Sequence, residues 1–115
     1  MWLNKQMNLS CLRILSSALI LLLCLAAASC NRGRSEARDL FNERCAACHA
    51  PDGSGNTPVG QSMGLPDLRS AQVQSRSDDQ LANVIRNGTT KMPPVKSLSA
   101  AQTSALVSYI RSLRR

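Results

Sequence analysis

The stretch LFNERCAACHAPDGSG, residues 40–55, carries Cys45 and Cys48 three positions apart, with the chain's only histidine, His49, directly after the second. On a helical turn, residues i and i+3 share a face. Both thiols can then be presented on one side of a bound group, with an imidazole next to them. What those three side chains act on depends on what the rest of the 115 residues supplies.

The other three cysteines lie outside any folded core. Cys11 and Cys24 fall in an N-terminal segment that reads as an address. Lys5 and Arg13 precede the uncharged run ILSSALILLLCLAAASC, residues 14–30. A positive start, an apolar centre and small residues at the end make a secretory signal over residues 1–29. The run is about 17 residues long, at the lower edge of what spans a bilayer. An N-terminal transmembrane anchor is therefore the alternative. Ala28 and Ser29 before Cys30 resemble a bacterial lipobox, with Ala27 where such boxes usually have Leu. That resemblance implies cleavage before Cys30 and lipid on Cys30, which anchors stably when more than one chain is attached. Ordinary cleavage after Ala28 would give a soluble periplasmic protein instead. Residues 30–35 then form a short tether and residues 36–115 the folded domain.

From Cys30 onward the chain has 86 residues, with 12 of the 14 Lys and Arg and all 7 acids, a formal charge of +5. The charges are scattered, with no basic block that would mark a nucleic-acid surface. Phe41 and Tyr109 are the only aromatic residues in this part. So small a chain with so few large side chains builds a thin core and usually needs a staple or a bound group. Only Cys45 and Cys48 remain inside it, so no disulfide framework exists.

Three chemistries compete for the motif. A closed structural zinc site wants four ligands, usually as two separated pairs, and no second pair is present. A redox dithiol should follow a strand in a βαβ pattern, and nothing here alternates like a strand. C-x-x-C-H is also the attachment signature of c-type haem. Two thiols on one face reach the two vinyl groups on one side of a porphyrin, and the following imidazole faces the iron. Export fits, because c-haem attachment takes place outside the cytoplasm. The reading is one covalent haem c, with His49 as an axial ligand of its iron.

An electron-transfer haem takes His and Met as axial ligands. Two methionines follow the motif: Met63 in GQSMGLPDL and Met92 in GTTKMPPVKSL. Pro93 and Pro94 stiffen the chain after Met92, and a residue before proline is held extended. Met92 is therefore the expected second ligand. Met63 is assigned to core filling or to a place at the haem edge.

The coarse pattern is all-α. A first helix is expected from about Glu36 to Cys48, with Ala37, Leu40 and Phe41 inward. Residues 50–70 are rich in Gly, Pro, Ser and Asp and read as a loop, long enough to need something to wrap. SDDQLANVIRNG is a helix with a Ser77–Gln80 capping box and a Gly88 stop. Leu81, Val84 and Ile85 fall on one face. The last helix begins at a second capping box, Ser99–Gln102, and turns Leu106, Val107, Tyr109, Ile110 and Leu113 inward.

With these motifs in place, residues 35–113 resemble the class I (monohaem) cytochrome c family. The resemblance implies three main helices and long loops wrapped around one covalently bound haem c. It assigns Cys45 and Cys48 to the thioethers, His49 and Met92 to the iron, and the carbonyl of Pro66 to the other ring nitrogen of His49. Phe41 and Tyr109 match the aromatic pair where first and last helices cross, with Ala37 where the family often has glycine. No tryptophan is available to reach a haem propionate, which leaves Arg69, Arg76 and Lys91 as the cations for that task. The implied activity is one-electron transfer in a periplasmic or membrane-surface respiratory chain, with no catalysis and no small-molecule substrate. The partners implied are redox proteins, with an acidic docking face suggested by the basic charge. The other reading is a haem subunit that accepts electrons in a periplasmic dehydrogenase or reductase, or a haem-based sensor or peroxidase.

Overall fold

The computed structural model describes residues 13–17, 19–20 and 32–115, in two units divided after Gly33. In the first unit the described residues are helical and expose Ile14, Leu15, Leu19 and Ile20. Cys30 and the small residues before it lie outside the described residues. No described helix is long and apolar enough to cross a membrane.

The second unit is all-helical with no strand among the described residues. Its first helix, α1, is described over residues 34–44 and already includes residues before the Glu36 start that its pattern suggests. The expected single helix through Cys48 is broken at Cys45, where φ −123° and ψ −34° put a bend. α2, Ala46–His49, follows. The bend costs few backbone bonds: Cys45 N–H still reaches the Phe41 carbonyl at 2.8 Å, and His49 N–H the Cys45 carbonyl at 2.9 Å.

The expected loop over residues 50–70 contains a helix. α3 spans Pro58–Met63. Thr57 caps it, with Oγ1 accepting from the Gly60 N–H, and Pro58 stands at the first position, where its fixed φ and missing N–H do no harm. Gly64 ends it in the left-handed region, φ 61°. Six residues are too few for a helix to stand by itself, which is why composition hides it. A further turn, α4, Ala71–Gln74, is capped by Ser70.

α5, Asp78–Asn87, and α6, Ala100–Ser112, begin at the two capping boxes as expected. Ser77 N–H donates to Gln80 Oε1 and Ser99 N–H to Gln102 Oε1, both at 2.9 Å. Leu81 and Ile85 of α5 and Leu106, Val107 and Ile110 of α6 are buried, and the two helices pack together. Phe41 and Leu106 are fully buried, with Leu68 and Val73 completing the core cluster. α1 and α6 meet at Phe41 and Tyr109, whose ring centres are 5.1 Å apart at a tilt of 53°. That tilted arrangement suits the ring quadrupoles better than a face-to-face stack.

Arg111 ties the middle of the chain to α6. Its guanidinium donates to the carbonyls of Gln74 at 2.8 Å and Arg76 at 2.5 Å and to Asp78 Oδ1 at 2.7 Å. Sequence alone places this arginine at the negative end of its own helix. In the fold it also ends α4 and orients the start of α5. Gln74, buried beneath it, donates from Nε2 to the carbonyls of Leu68 and Ile110.

Candidate functional site

α2 is held from one side by α3. Thr57 Oγ1 donates to the Cys48 carbonyl at 2.8 Å, and Gly55 N–H to the His49 carbonyl at 2.7 Å. Gly60 comes so close that a Cβ there would lie 2.5 Å from the Cys48 carbonyl oxygen. Only glycine lets α3 approach the motif at that range. Ala50 leaves α2 at φ 62° and ψ 156°, a conformation close to glycine-only. The chain thus turns sharply away directly after His49.

The Met92 loop is fixed from the other direction. Gly88 ends α5 at φ 71°, where a Cβ would run into the backbone of Met92 and Pro94. Thr89 N–H donates to the Met92 carbonyl at 2.7 Å, and the Met92 N–H returns a bond to Thr89 Oγ1 at 3.1 Å. Val95 N–H then reaches back to the Ile85 carbonyl of α5 at 2.9 Å. The loop is therefore a closed structure anchored on α5.

Between these two supports lies a cavity of about 400 Å³, within the roughly 300–1,000 Å³ of small-molecule and cofactor sites. Cys45, His49, Pro66 and Met92 all line it, among apolar side chains that include Phe41, Leu68 and Leu106. A smaller adjoining cleft of about 90 Å³ is lined by Cys45, Cys48, His49 and Met92, and also by Met63. Met63 is 37% exposed and lies outside the core, so core filling is not its role; it stands at the edge of the site. Cys45 and Cys48 are not bonded to one another.

Burial sets the charge state of the site. It pushes the Cys45 thiol up to about 11, with the neighbouring Cys48 adding to the rise and Arg44 opposing it. It pushes the His49 imidazole below its ordinary value. The thiol and the ring are thus uncharged at neutral pH, and a neutral imidazole is the form that binds metal. His49 Nδ1 is buried and has no hydrogen-bond partner in the fold. An unpartnered buried polar atom is rare and costly, and here it belongs to the residue the motif assigns to a metal. The Pro66 carbonyl, expected to accept from that ring, is not bonded to it, although Pro66 lines the same cavity.

The family model described as cytochrome C oxidase, cbb3-type, subunit III matches residues 34–110. The chain belongs to that cytochrome c family. The cbb3-type cytochrome c oxidase subunit CcoP of Azospirillum brasilense is 30% identical over 90 residues, which cover 76% of this chain. The chain spans only 29% of that relative's length. The solved structure of the KustC0563 c-type cytochrome superposes with a TM-score of 0.61 at 28% identity, over 68% of this chain and 96% of the other. The fold is the small cytochrome c fold, and the protein is an electron-transfer haem protein with one covalent haem c. The residues present fit that cofactor: the Cys45 thiol, an uncharged imidazole and a thioether sulfur line one apolar cavity, and the Cys48 thiol lines the cleft that adjoins it.

Of the three cations expected near the propionates, the structure separates one from the others. Arg69 is held by Asp67 at 2.7 Å and Asp52 at 2.9 Å and does not line the cavity. Arg76 and Lys91 do line it. The residues that hold the site's backbone, Thr57, Gly60, Gly88 and Thr89, are absent from the sequence-level expectation of its site. Thr57-Pro58 was a legible helix start. The others act through backbone approach, which leaves no motif.

Proposed function

We propose that this chain is a one-electron carrier working on the periplasmic side of a membrane. Cys45 and Cys48 would hold the haem by thioether bonds, and His49 and Met92 would bind its iron. When bound, haem supplies an iron that alternates between the ferrous and ferric states. The chain's own residues fix its surroundings: α3 and Ala50 orient His49, and the Gly88–Thr89 turn holds Met92. Leu68, Leu81, Ile85 and Leu106 keep water out, which favours the less charged ferrous centre and holds the potential up. With His49 and Met92 both committed, no position is left open for oxygen or peroxide.

The observation that carries this reading is the presence of both His49 and Met92 on the wall of one cavity. Lipid on Cys30 would tether the carrier to the membrane surface. The basic balance of the exported part suits redox partners with an acidic face, through small and short-lived contacts. The similarity to CcoP supports a second setting for the same chemistry, as a haem subunit that passes electrons within an oxidoreductase complex.

Carbon monoxide or cyanide added to the purified holoprotein tests the reading. The reduced spectrum should stay unchanged at neutral pH. Rapid binding would mean an open or displaceable axial position and would favour a sensor or peroxidase.

A further inference from the structure

We propose that Arg69 is a positioning residue for His49: by joining Asp52, in the turn that leaves the histidine, to Asp67, in the segment that follows Pro66, it fixes the backbone carbonyls available to the His49 ring. This role rests on the haem reading of the Cys45–His49 site. An imidazole that binds a metal through one ring nitrogen carries its proton on the other, and the partner of that proton sets the ring's orientation and donor strength. His49 Nδ1 is buried and has no hydrogen-bond partner in the fold. The backbone packed against its turn is the Leu65–Pro66 segment: a Cβ at Gly55 would lie 3.5 Å from the Leu65 carbonyl oxygen and 3.8 Å from that of Pro66. Neither carbonyl accepts a hydrogen bond among the described residues. Leu65 and Pro66 also line the cavity with His49. Unclaimed acceptors therefore stand beside the turn, and their distance from the ring depends on how closely the two segments are held.

The turn is folded back on the motif by Gly55 N–H, which donates to the His49 carbonyl at 2.7 Å. Two contacts then join it to the following segment. Leu68 N–H donates to the Gly53 carbonyl at 2.9 Å. Arg69 Nη1 donates to Asp52 Oδ2 at 2.9 Å, across 17 residues of chain. The rest of the guanidinium is fixed from its own segment. Nε and Nη2 donate to the two carboxylate oxygens of Asp67 at 2.8 and 2.7 Å, the forked arrangement that gives an arginine pair its geometric specificity. Asp67 Oδ1 also accepts the Arg69 N–H at 2.9 Å. Asp52 is set in turn by Ser54, whose N–H and hydroxyl donate to its Oδ1 at 3.1 and 2.6 Å. The Arg69 side chain is 13% exposed, which leaves it little room to move. Gln74 Nε2 holds the same segment from the other direction, at the Leu68 carbonyl. Arg69 does not line the cavity. Its effect on His49 passes through the spacing of the two segments, not through contact.

The test is the exchange rate of the His49 ring N–H, followed by NMR in the reduced holoprotein, together with the midpoint potential at neutral pH. The variants are Arg69→Met, Asp52→Asn, the two combined, and Asp78→Asn. Asp78→Asn is the control, because it removes a comparable pair, that of Arg111, outside the cavity. Asp52→Asn changes a side chain that is 57% exposed and leaves the Asp67 fork in place, so the fold persists even where Arg69→Met unfolds. Arg69→Met and Asp52→Asn should each speed the exchange roughly tenfold, as expected of an easier local opening. The combined variant should match Arg69→Met, because both changes remove one link. An imidazole that loses the acceptor of its ring proton is a weaker donor, which favours the ferrous state, so both single variants should raise the potential. Loss of charge by itself would move them apart: down for Arg69→Met, which loses a cation, and up for Asp52→Asn, which loses an anion. Asp78→Asn should match wild type. Wild-type exchange in Asp52→Asn overturns the proposal, and so do potentials that move in opposite directions, or an equal change in Asp78→Asn. A wild-type chain that takes up no haem overturns the site reading as well, whereas normally loaded variants with wild-type exchange overturn only the role of Arg69.

Discussion

Thr57 Oγ1 donates to the Cys48 carbonyl at 2.8 Å and accepts from the Gly60 N–H at 2.9 Å. One hydroxyl thus caps α3 and ties it to the end of the Cys45–His49 motif. It is the link between the connection that follows the motif and the residues that carry the chemistry.

Thr57→Val keeps the shape and removes both bonds. Loss of the cap together with a carbonyl left unpartnered should cost roughly 1–2 kcal/mol. For a domain of this size that lowers Tm by roughly 5–15 °C, read by circular dichroism on the holoprotein. Thr57→Ser should stay near wild type. An unchanged Tm for Thr57→Val would mean that α3 is held by its Gly60 approach alone.

Gly88→Ala tests the support of the Met92 loop. The residue sits at φ 71° with the Met92 and Pro94 backbone against it. The strain is about 1–3 kcal/mol, and the loop is the part free to move. The expected result is a high-spin fraction in the absorption spectrum together with a lower Tm. A fully low-spin spectrum at wild-type Tm would show that the turn does not position Met92.

Asp67 and Arg69 give a pH-dependent contribution outside the cavity. The hydrogen bonds from Arg69 are the main reason the Asp67 carboxyl lies at about 2 instead of 3.8. A lowered carboxylate stabilises the fold fully above its unfolded value and loses that contribution as pH falls through its folded value. The pair is partly exposed, Asp67 by 39%, so solvent screening limits its contribution to about 0.5–1 kcal/mol. In urea denaturation Asp67→Asn should be less stable than wild type by that amount at pH 6. The gap should close between pH 4 and pH 2. A gap that persists at pH 2 would point to lost packing rather than lost charge.

The parts of the molecule that read clearly from sequence are those governed by local chemistry. Ser77 with Gln80 and Ser99 with Gln102 announce α5 and α6, because a capping box satisfies backbone groups within four residues. The inward face of α6 follows from periodicity, and the Phe41–Tyr109 contact from the family resemblance. What escaped depends on distant partners. α3 is short and sits in a stretch of Gly, Pro and Ser, and its stability comes from Cys48 across the fold. The bend at Cys45 is equally invisible, because Arg44 before it and Ala46 and Ala47 after it all favour an unbroken helix. Arg69 could be listed with Arg76 as a free cation until the fold brought Asp52, 17 residues away, against it.

The measurement that bears most directly on the site is the spectrum and midpoint potential of Met92→Ala beside Met63→Ala. With Met92 on the iron, Met92→Ala gives a high-spin haem of lower potential that binds carbon monoxide when reduced, while Met63→Ala, at the exposed edge, matches wild type. A low-spin Met92→Ala protein at the wild-type potential, with the change appearing in Met63→Ala instead, would contradict the assignment.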